Sequence, residues 1–259
     1  MARWPFYLRS PGTTVNISFA RKFVRRPAVA GFAILIGGIL VGGAAHAQLT
    51  PNEELGRAIF FDKDLSINRN QSCADCHLPA WGFTGPIEAI NATGAVYEGS
   101  IPARFGNRKP PSAAYATRSP ILFYMPENGG RGMHAEDEGE VLFVGGNFWD
   151  GRATGEKLGN PAADQAQGPF LNPLEQALPD RACVVYRVCS AAYPVSFEAV
   201  WGPGACNVSW PADVEAQCAT EGGSVALSPD DREDVDIAYD QIALSIACLL
   251  YTSPSPRDG

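Results

Sequence analysis

The chain has 259 residues, of which 46% are hydrophobic and 19% charged, so it can form one large or two small domains with a real core. Residues 1–47 carry six basic side chains and no acidic one, which leaves 14 basic and 28 acidic residues and a net charge of −14 beyond them. That acidity argues against a nucleic-acid partner and is compatible with a basic electron-donor protein, although acidic surfaces mostly serve solubility.

The N-terminal segment has the layout of a secretory signal peptide. A basic stretch ends at Arg25-Arg26-Pro27, an apolar and glycine-rich run follows from Ala28 to Ala45, and Ala45-His46-Ala47 is an A-x-A cleavage pattern. We therefore predict cleavage after Ala47, export to the periplasm, and no contribution of residues 1–47 to the fold. The alternative is an uncleaved membrane anchor, because the length of the apolar run is borderline for spanning a bilayer.

The first predicted helix begins at residues 50–53, Thr-Pro-Asn-Glu. This tetrapeptide places Thr at the N-cap, Pro at the first helical position and Glu at the third, which is a capping-box pattern. Leu55, Ile59 and Phe60 then fall on one face of the helix. Residues 62–71 are rich in turn-forming residues and lead into a cysteine motif.

Cys73-Ala74-Asp75-Cys76-His77 is the C-x-x-C-H pattern of c-type haem attachment. Two thiols three positions apart can reach two vinyl groups on one edge of a porphyrin, and the next imidazole can bind the iron. A redox dithiol or half of a zinc site are the alternatives, but neither requires the trailing His. We predict one covalent haem c held by Cys73 and Cys76, with His77 as the proximal iron ligand.

The chain from Leu78 to about Gly146 is rich in Gly, Pro and Asn and shows little periodicity. A structureless segment of that length is unusual unless something organises it, and a haem with its large apolar faces is such an organiser. We predict short helices near 111–117, 161–167, 180–192, 194–201 and 232–247, and no strand-rich region.

Four further cysteines, Cys183, Cys189, Cys206 and Cys218, would form disulfides in an exported protein. Cys183 and Cys189 are predicted to share a helix, where six residues rise about 9 Å, beyond the roughly 7 Å limit for a disulfide. We therefore expect links from this helix to the segment 205–220, with the pairing left open. The alternative is four free thiols.

Residues 248–259, CLLYTSPSPRDG, resemble the translation of a sequencing-library adapter. They interrupt a helical pattern in which Val235, Ala238, Ile242 and Ile246 recur at helix spacing. We predict that the natural sequence departs from this one after Ala247, so that Cys248 has no natural role. The alternative is a real flexible tail.

Several segments in order resemble bacterial di-haem cytochrome c peroxidases and the related MauG-like proteins: LGRAIFFDKDLSINRNQSCADCHLPAWGFTG (55–85), GNRKPPSAAYA (106–116), FWDGRATG (148–155) and DQAQGPFLNPLEQ (164–176). The resemblance implies an all-α, cytochrome c-like, loop-rich haem domain over residues 49–247. It also implies a second haem domain, which is missing here because no second C-x-x-C-H follows. In this family the N-terminal haem reacts with peroxide and the C-terminal haem receives electrons.

The resemblance also implies roles for residues around the haem. Glu175, seven residues after Gly168-Pro169, matches the family's acid/base residue, for which burial of a carboxyl would raise the pKa. The alternative is that Glu175 only caps or solvates a loop. Gln165 matches a distal amide that can hydrogen-bond peroxide.

Three residues of the 148–155 segment match positions beside the haems. Phe148 matches an apolar pocket wall, and Trp149 matches a tryptophan between the two haems that is implicated in electron transfer. The alternative for Trp149 is an ordinary core aromatic. Arg152 can pair with a haem propionate, a common role for a guanidinium.

Two further departures from the family pattern affect the iron and a calcium site. Many relatives have a His shortly before the G-x-R-N-x-P segment that ligates the resting haem, whereas residues 99–105 contain none. The iron would then be five-coordinate and open, unless His134 or, more weakly, Met125 or Met133 is a sixth ligand; a surface role is the alternative for His134. Lys109 stands where the family has a calcium-associated Asn, so calcium is doubtful.

The predicted function is reduction of hydrogen peroxide at this haem, with electrons from a small donor cytochrome or cupredoxin arriving through Trp149 and a second haem. One alternative is a MauG-like oxidase that acts on a protein or small substrate. The other is a plain electron-transfer cytochrome, which a strong axial Met or His ligand would favour. A homodimer is possible for the full-length protein.

Overall fold

A computed structural model of the chain describes residues 49–126, 141–193 and 195–252, and its fold is mostly helical, as predicted. The predicted signal peptide lies outside the described residues. The helices are α1 (Pro51–Phe61), α2 (Cys73–Cys76), α3 (Glu88–Thr93), α4 (Pro161–Leu171), α5 (Arg181–Ser190), α6 (Phe197–Trp201), α7 (Val214–Cys218) and α8 (Pro229–Thr252). Two strands, β1 (Phe123–Pro126) and β2 (Val141–Val144), and 3₁₀ turns at Lys63–Leu65, Pro79–Trp81 and Ala116–Arg118 complete the described elements.

Helix α1 begins as its sequence predicts. The Thr50 hydroxyl accepts a hydrogen bond from the backbone N–H of Glu53, and the Glu53 carboxylate accepts one from the N–H of Thr50 at 2.6 Å. Both partners of the capping box are therefore present. The apolar face is also confirmed, because Leu55, Ile59 and Phe60 are buried.

Helix α8 organises the core, since it packs against α1, α4 and α5. It comes very near to α1 at Gly56, where a Cβ would lie 2.1 Å from the carbonyl oxygen of Ser245. Only glycine allows the two backbones to come so near. Leu55 and Ile59 from α1 and Ile242 from α8 belong to one buried hydrophobic cluster and are fully buried.

The predicted interruption of the last helix after Ala247 is wrong, because α8 continues to Thr252. Leu249 and Leu250 extend the apolar face beyond Ile246 at helix spacing, and both are buried. Val235, Ala238 and Ile242 belong to the same face, as predicted, and are buried in the core.

The segment between the cysteine motif and α4 has its helix at a different place from the predicted one, because α3 was not predicted. The helix expected near 111–117 is wrong: only the 3₁₀ turn Ala116–Arg118 forms, because Tyr115 adopts a left-handed conformation (φ 60°) that a helix does not allow. Strands β1 and β2 form an antiparallel pair in which Phe123 faces Val144. This pair of strands is the one sheet among the described residues and was not predicted.

Two disulfides tie α5 to the segment after it. Cys183 pairs with Cys218 and Cys189 pairs with Cys206, with Cα–Cα distances of 5.4 and 5.6 Å. The expectation that Cys183 and Cys189 share a helix and bond elsewhere is confirmed. None of the helices that the structure describes has the length and apolar character needed to cross a bilayer.

Candidate functional site

A cavity of about 1300 Å³, including its open mouth, lies beside α2, α4 and α8. The three residues of the cysteine motif that were predicted to hold a haem line it: Cys73, Cys76 and His77. The other predicted site residues line the same cavity: Phe148, Trp149, Arg152, Gln165 and Glu175. Residues separated by a hundred positions in the chain therefore share one site.

Helix α2 is short, and its first turn is fixed by a cap. The Asp75 carboxylate accepts hydrogen bonds from the N–H and the hydroxyl of Ser72, each at 2.8 Å, and pairs with the Lys63 ammonium at 2.8 Å. Partial burial opposes ionisation, but Lys63 and Ser72 hold the pKa of Asp75 below its usual value. The cap fixes one helical turn, which puts Cys73 and Cys76 on the cavity wall.

The ring of His77 is oriented by a carbonyl outside α2. Nδ1 lies 3.0 Å from the Phe83 carbonyl oxygen, which a tight turn closed by Phe83 N–H to Leu78 O brings back over the motif. An Nδ1–H that donates to this carbonyl leaves Nε2 with a free lone pair for a metal. Burial lowers the pKa of His77, although the backbone of Phe83 and Pro111 opposes the shift, and the neutral imidazole is the form that binds iron.

The thiols of Cys73 and Cys76 are free, whereas the four cysteines of α5 and its neighbouring segment are paired. Burial raises the pKa of both thiols to about 12, and the Glu175 carboxylate adds to the shift. A redox dithiol needs a lowered thiol pKa, so this environment disfavours that alternative. An apolar cavity with two free thiols and an imidazole Nε2 fits a covalently attached haem.

Glu175 lies in the turn that follows α4. The Asn172 amide donates a hydrogen bond to the Glu175 carboxylate at 3.0 Å, and the Glu175 N–H donates to the Asn172 carbonyl at 2.9 Å. Burial raises the pKa of Glu175, while the Asn172 amide and the charge of Arg152 oppose the shift. The carboxyl is therefore suited to exchanging protons closer to neutral pH than an exposed Glu.

The remaining predicted site residues lie on the wall and at the mouth of the cavity. Gln165 lies on α4 and lines the cavity together with Pro169, one turn further along. Phe148 adopts a left-handed conformation (φ 67°), and the Arg152 guanidinium lies 3.7 Å from the centre of its ring. Arg152 also pairs with Asp150 at 2.8 Å.

Trp149 is 70% exposed, so the alternative that it is an ordinary core aromatic is wrong. Three residues were predicted as candidates for a sixth ligand of the haem iron. Met125 lies on β1, while Met133 and His134 lie outside the described residues. Lys109, at the position of the doubtful calcium site, lines the cavity.

Sequence reasoning missed several lining residues: Gln71, Tyr97, Gln176, Ile246 and Leu250. Gln71 and Gln176 are close in the chain to Cys73 and Glu175, and this proximity could have indicated that they line the cavity. Ile246 belongs to the apolar stripe of α8. Nothing in the local sequence marks Tyr97, whose placement depends on tertiary packing.

Comparisons with known proteins agree on one family. Residues 50–246 match the family model described as "Di-haem cytochrome c peroxidase". The chain is 40% identical over 172 residues to the methylamine utilization protein MauG of Paracoccus denitrificans, covering 64% of this chain and 39% of that protein. It is 37% identical over 73 residues to the cytochrome-c peroxidase IdrP2 of Denitromonas iodatirespirans, covering 25% of this chain and 20% of that protein.

Solved structures with the same fold include the diheme peroxidase BthA of Burkholderia thailandensis, with a TM-score of 0.56 and 24% identity over 82% of this chain and 41% of that chain. A variant of BthA gives a TM-score of 0.57 and 23% identity over 81% of this chain and 41% of that chain. The chain thus spans about two fifths of the length of MauG and of these peroxidases.

Proposed function

Because the chain belongs to the di-haem cytochrome c peroxidase family, we propose that residues 49–247 are an N-terminal haem domain in which hydrogen peroxide is reduced to water. The observation that carries this proposal is the shared cavity of His77 and Glu175, which puts an iron ligand and a carboxyl of raised pKa at one site. A plain electron-transfer cytochrome has no need of such a carboxyl.

In this proposal Cys73 and Cys76 attach one haem c, and Nε2 of His77 binds its iron. The bound haem supplies the iron that binds the peroxide and the electrons that break its O–O bond. The overall conversion of hydrogen peroxide to two water molecules consumes two electrons, which the haem would supply, and two protons, which must be moved by groups of the protein.

Glu175 is the group at this site that can move protons, both the one already on the peroxide and the two that are taken up from solvent to complete the second water molecule. Its carboxylate takes the proton from the oxygen of hydrogen peroxide nearer the iron and gives it to the departing oxygen, which then leaves as water. Asn172 keeps one carboxylate oxygen in place through its 3.0 Å hydrogen bond. The Gln165 amide is suited to hydrogen-bonding the peroxide, and Phe148 forms an apolar wall that keeps bulk water out.

Electrons would enter at the mouth of the cavity, where Trp149 is exposed. We propose that Trp149 connects this haem to a second haem in the full-length protein, which receives electrons from a small donor protein. Export to the periplasm accords with the two disulfides, because disulfides persist outside the cytoplasm.

A second candidate function is a MauG-like oxidation of a protein or small substrate, which the 40% identity to MauG favours. It would use the same haem and the same Glu175, so the two candidates differ in the reductant. Turnover of peroxide with reduced donor cytochrome or cupredoxin supports the peroxidase. Turnover that requires a different oxidisable substrate supports the oxidase.

The test is Glu175→Gln in the full-length, haem-loaded protein. Removal of the proton-transfer group should lower peroxide turnover by about a hundredfold or more, with haem still covalently attached. Glu156→Gln, at an exposed carboxyl outside the cavity, is the matched control and should leave turnover unchanged. Full turnover of Glu175→Gln would contradict the acid/base role.

A further inference from the structure

The loop of residues 97–106, here called the Ser100 loop, lies between the haem-attachment segment and Glu175. Its ends are joined by the hydrogen bond from Gly106 N–H to the Tyr97 carbonyl at 2.9 Å, and Gly99 N–H donates to the Arg104 carbonyl at 2.7 Å. Ser100 is 0% exposed, although it lies in the part of the chain that was expected to lack regular structure. A buried polar residue needs a partner for each of its polar atoms.

Ser100 contacts Glu175 through its backbone. Its N–H donates to the Glu175 carbonyl at 2.7 Å. The neighbouring Gly99 lies so close that a Cβ there would be 2.3 Å from the Leu174 carbonyl oxygen. The loop backbone is therefore in direct contact with the turn that carries the acid/base carboxyl.

The other polar atoms of Ser100 contact the segment just before the cysteine motif. Its hydroxyl donates to the Asn70 side-chain oxygen at 2.6 Å and accepts from the Asn68 N–H at 3.1 Å. Its carbonyl accepts from the Asn68 and Asn70 side-chain amides at 2.9 and 3.0 Å. All three polar atoms of Ser100 are thus engaged, and they join two separate parts of the site.

The segment that Ser100 contacts, residues 68–70, is itself connected by hydrogen bonds to the haem-attachment motif. The N–H groups of Asn70 and Gln71 both donate to the Ser66 hydroxyl at 3.0 Å, and Ser72 then caps the helix that begins at Cys73. Any displacement of Ser100 relative to Asn70 therefore changes the spacing between the haem-attachment helix and the Glu175 turn.

The far side of the Ser100 loop is held by the disulfide-bonded segment. The Arg104 guanidinium binds both carboxylate oxygens of Glu221, at 2.5 and 3.0 Å. Glu221 follows Cys218, which is bonded to Cys183 on α5. This ion pair is partly exposed to solvent, so it restrains the loop without dominating its stability.

We propose that Ser100 is a positioning residue for the peroxide reaction, which sets the placement of the Glu175 carboxyl relative to the haem-attachment motif. The inference rests on the proposed function, because Glu175 must be the proton-transfer group for its placement to matter. Ser100 touches neither peroxide nor haem in this proposal. It acts by holding the Glu175 turn and Asn68-Asn70 at a fixed separation, and a misplacement of about 1 Å can lower a catalytic rate a hundredfold.

The experiment compares Ser100→Ala and Asn70→Ala in the full-length, haem-loaded protein. Both variants break the contact between the Ser100 hydroxyl and Asn70, and Asn70 is exposed, so its truncation tests the contact even if Ser100→Ala fails to fold. We expect each to lower kcat by about tenfold or more with less change in KM. The rate of cyanide binding to the ferric haem should fall in parallel, because it also needs a base to take the proton of HCN.

Ser245→Ala is the matched control, because Ser245 is equally buried and its hydroxyl also has two partners, the Trp201 indole N–H and the Gln241 carbonyl. It should leave kcat and cyanide binding unchanged. Unchanged values in Ser100→Ala and Asn70→Ala, or an equal loss in Ser245→Ala, would overturn the positioning role. If Glu175→Gln keeps full turnover, the proposed function fails; if only the Ser100 and Asn70 variants keep it, the failure lies with this inference.

Discussion

Gly99→Ala tests whether the contact between the Ser100 loop and the Glu175 turn determines the reaction rate. A Cβ on Gly99 would lie 2.3 Å from the Leu174 carbonyl oxygen and 2.8 Å from that of Glu175, whereas ordinary contact begins at 3.4 Å. Both oxygens are backbone atoms, so no side chain can rotate away. The loop and the turn must separate by about 1 Å, which predicts a loss of about a hundredfold in kcat for peroxide reduction.

The assay is steady-state peroxide reduction by the full-length, haem-loaded variant, together with thermal unfolding. Crowding of a packed site should cost about 1–3 kcal/mol of stability, so the protein should remain folded and loaded. Gly94→Ala is the matched control, because a Cβ there meets nothing within 4 Å. A kcat of Gly99→Ala within about twofold of the unmodified protein, with haem attached, would refute the reasoning.

Three further predictions concern stability and pH. Arg187→Met removes a buried guanidinium that donates to two backbone carbonyls and a carboxylate, and should lower the free energy of unfolding by about 3–5 kcal/mol in urea titrations, unlike the exposed Arg57→Met. Replacing Cys183 and Cys218 by Ala opens a bridge across a separation of 35 residues and should cost about 4 kcal/mol in the same assay; an unchanged midpoint would contradict this. The raised pKa of Glu175 predicts that kcat/KM falls as the pH drops through a value above the pKa of an ordinary Glu, and that Glu175→Gln abolishes this acidic fall. The same variant should unfold less readily at neutral pH, because the stability linked to a raised carboxyl pKa is lost as the pH rises through that pKa.

The sequence predicted best the features that depend on short-range patterns. The capping box at Thr50, the pairing restriction on Cys183 and Cys189, and the buried stripe of α8 each follow from the geometry of one helix. The resemblance of whole segments to a known family predicted Glu175, which no local pattern would have distinguished from a loop carboxylate.

Features that depend on tertiary contact were not predictable in this way. Ser100 is an ordinary residue in a loop-like stretch, and its burial arises only because Asn68, Asn70 and Glu175 meet there in space. The helix expected near 111–117 does not form, because Tyr115 has a left-handed backbone conformation. A glycine would have indicated such a conformation in the sequence, whereas a tyrosine does not. The pairing of four cysteines likewise needed the three-dimensional approach of α7 to α5.

The place of α8 in the chain has a consequence for the order of events during synthesis. This helix contacts α1, α4 and α5, so the walls of the cavity cannot close until it has been made. The ribosome produces the motif at Cys73 to His77 well before α8, by an interval on the order of ten seconds at ordinary elongation rates. Until α8 is present, the two thiols lie on a chain whose cavity walls are not assembled, so the cysteine motif is accessible before the core forms around it.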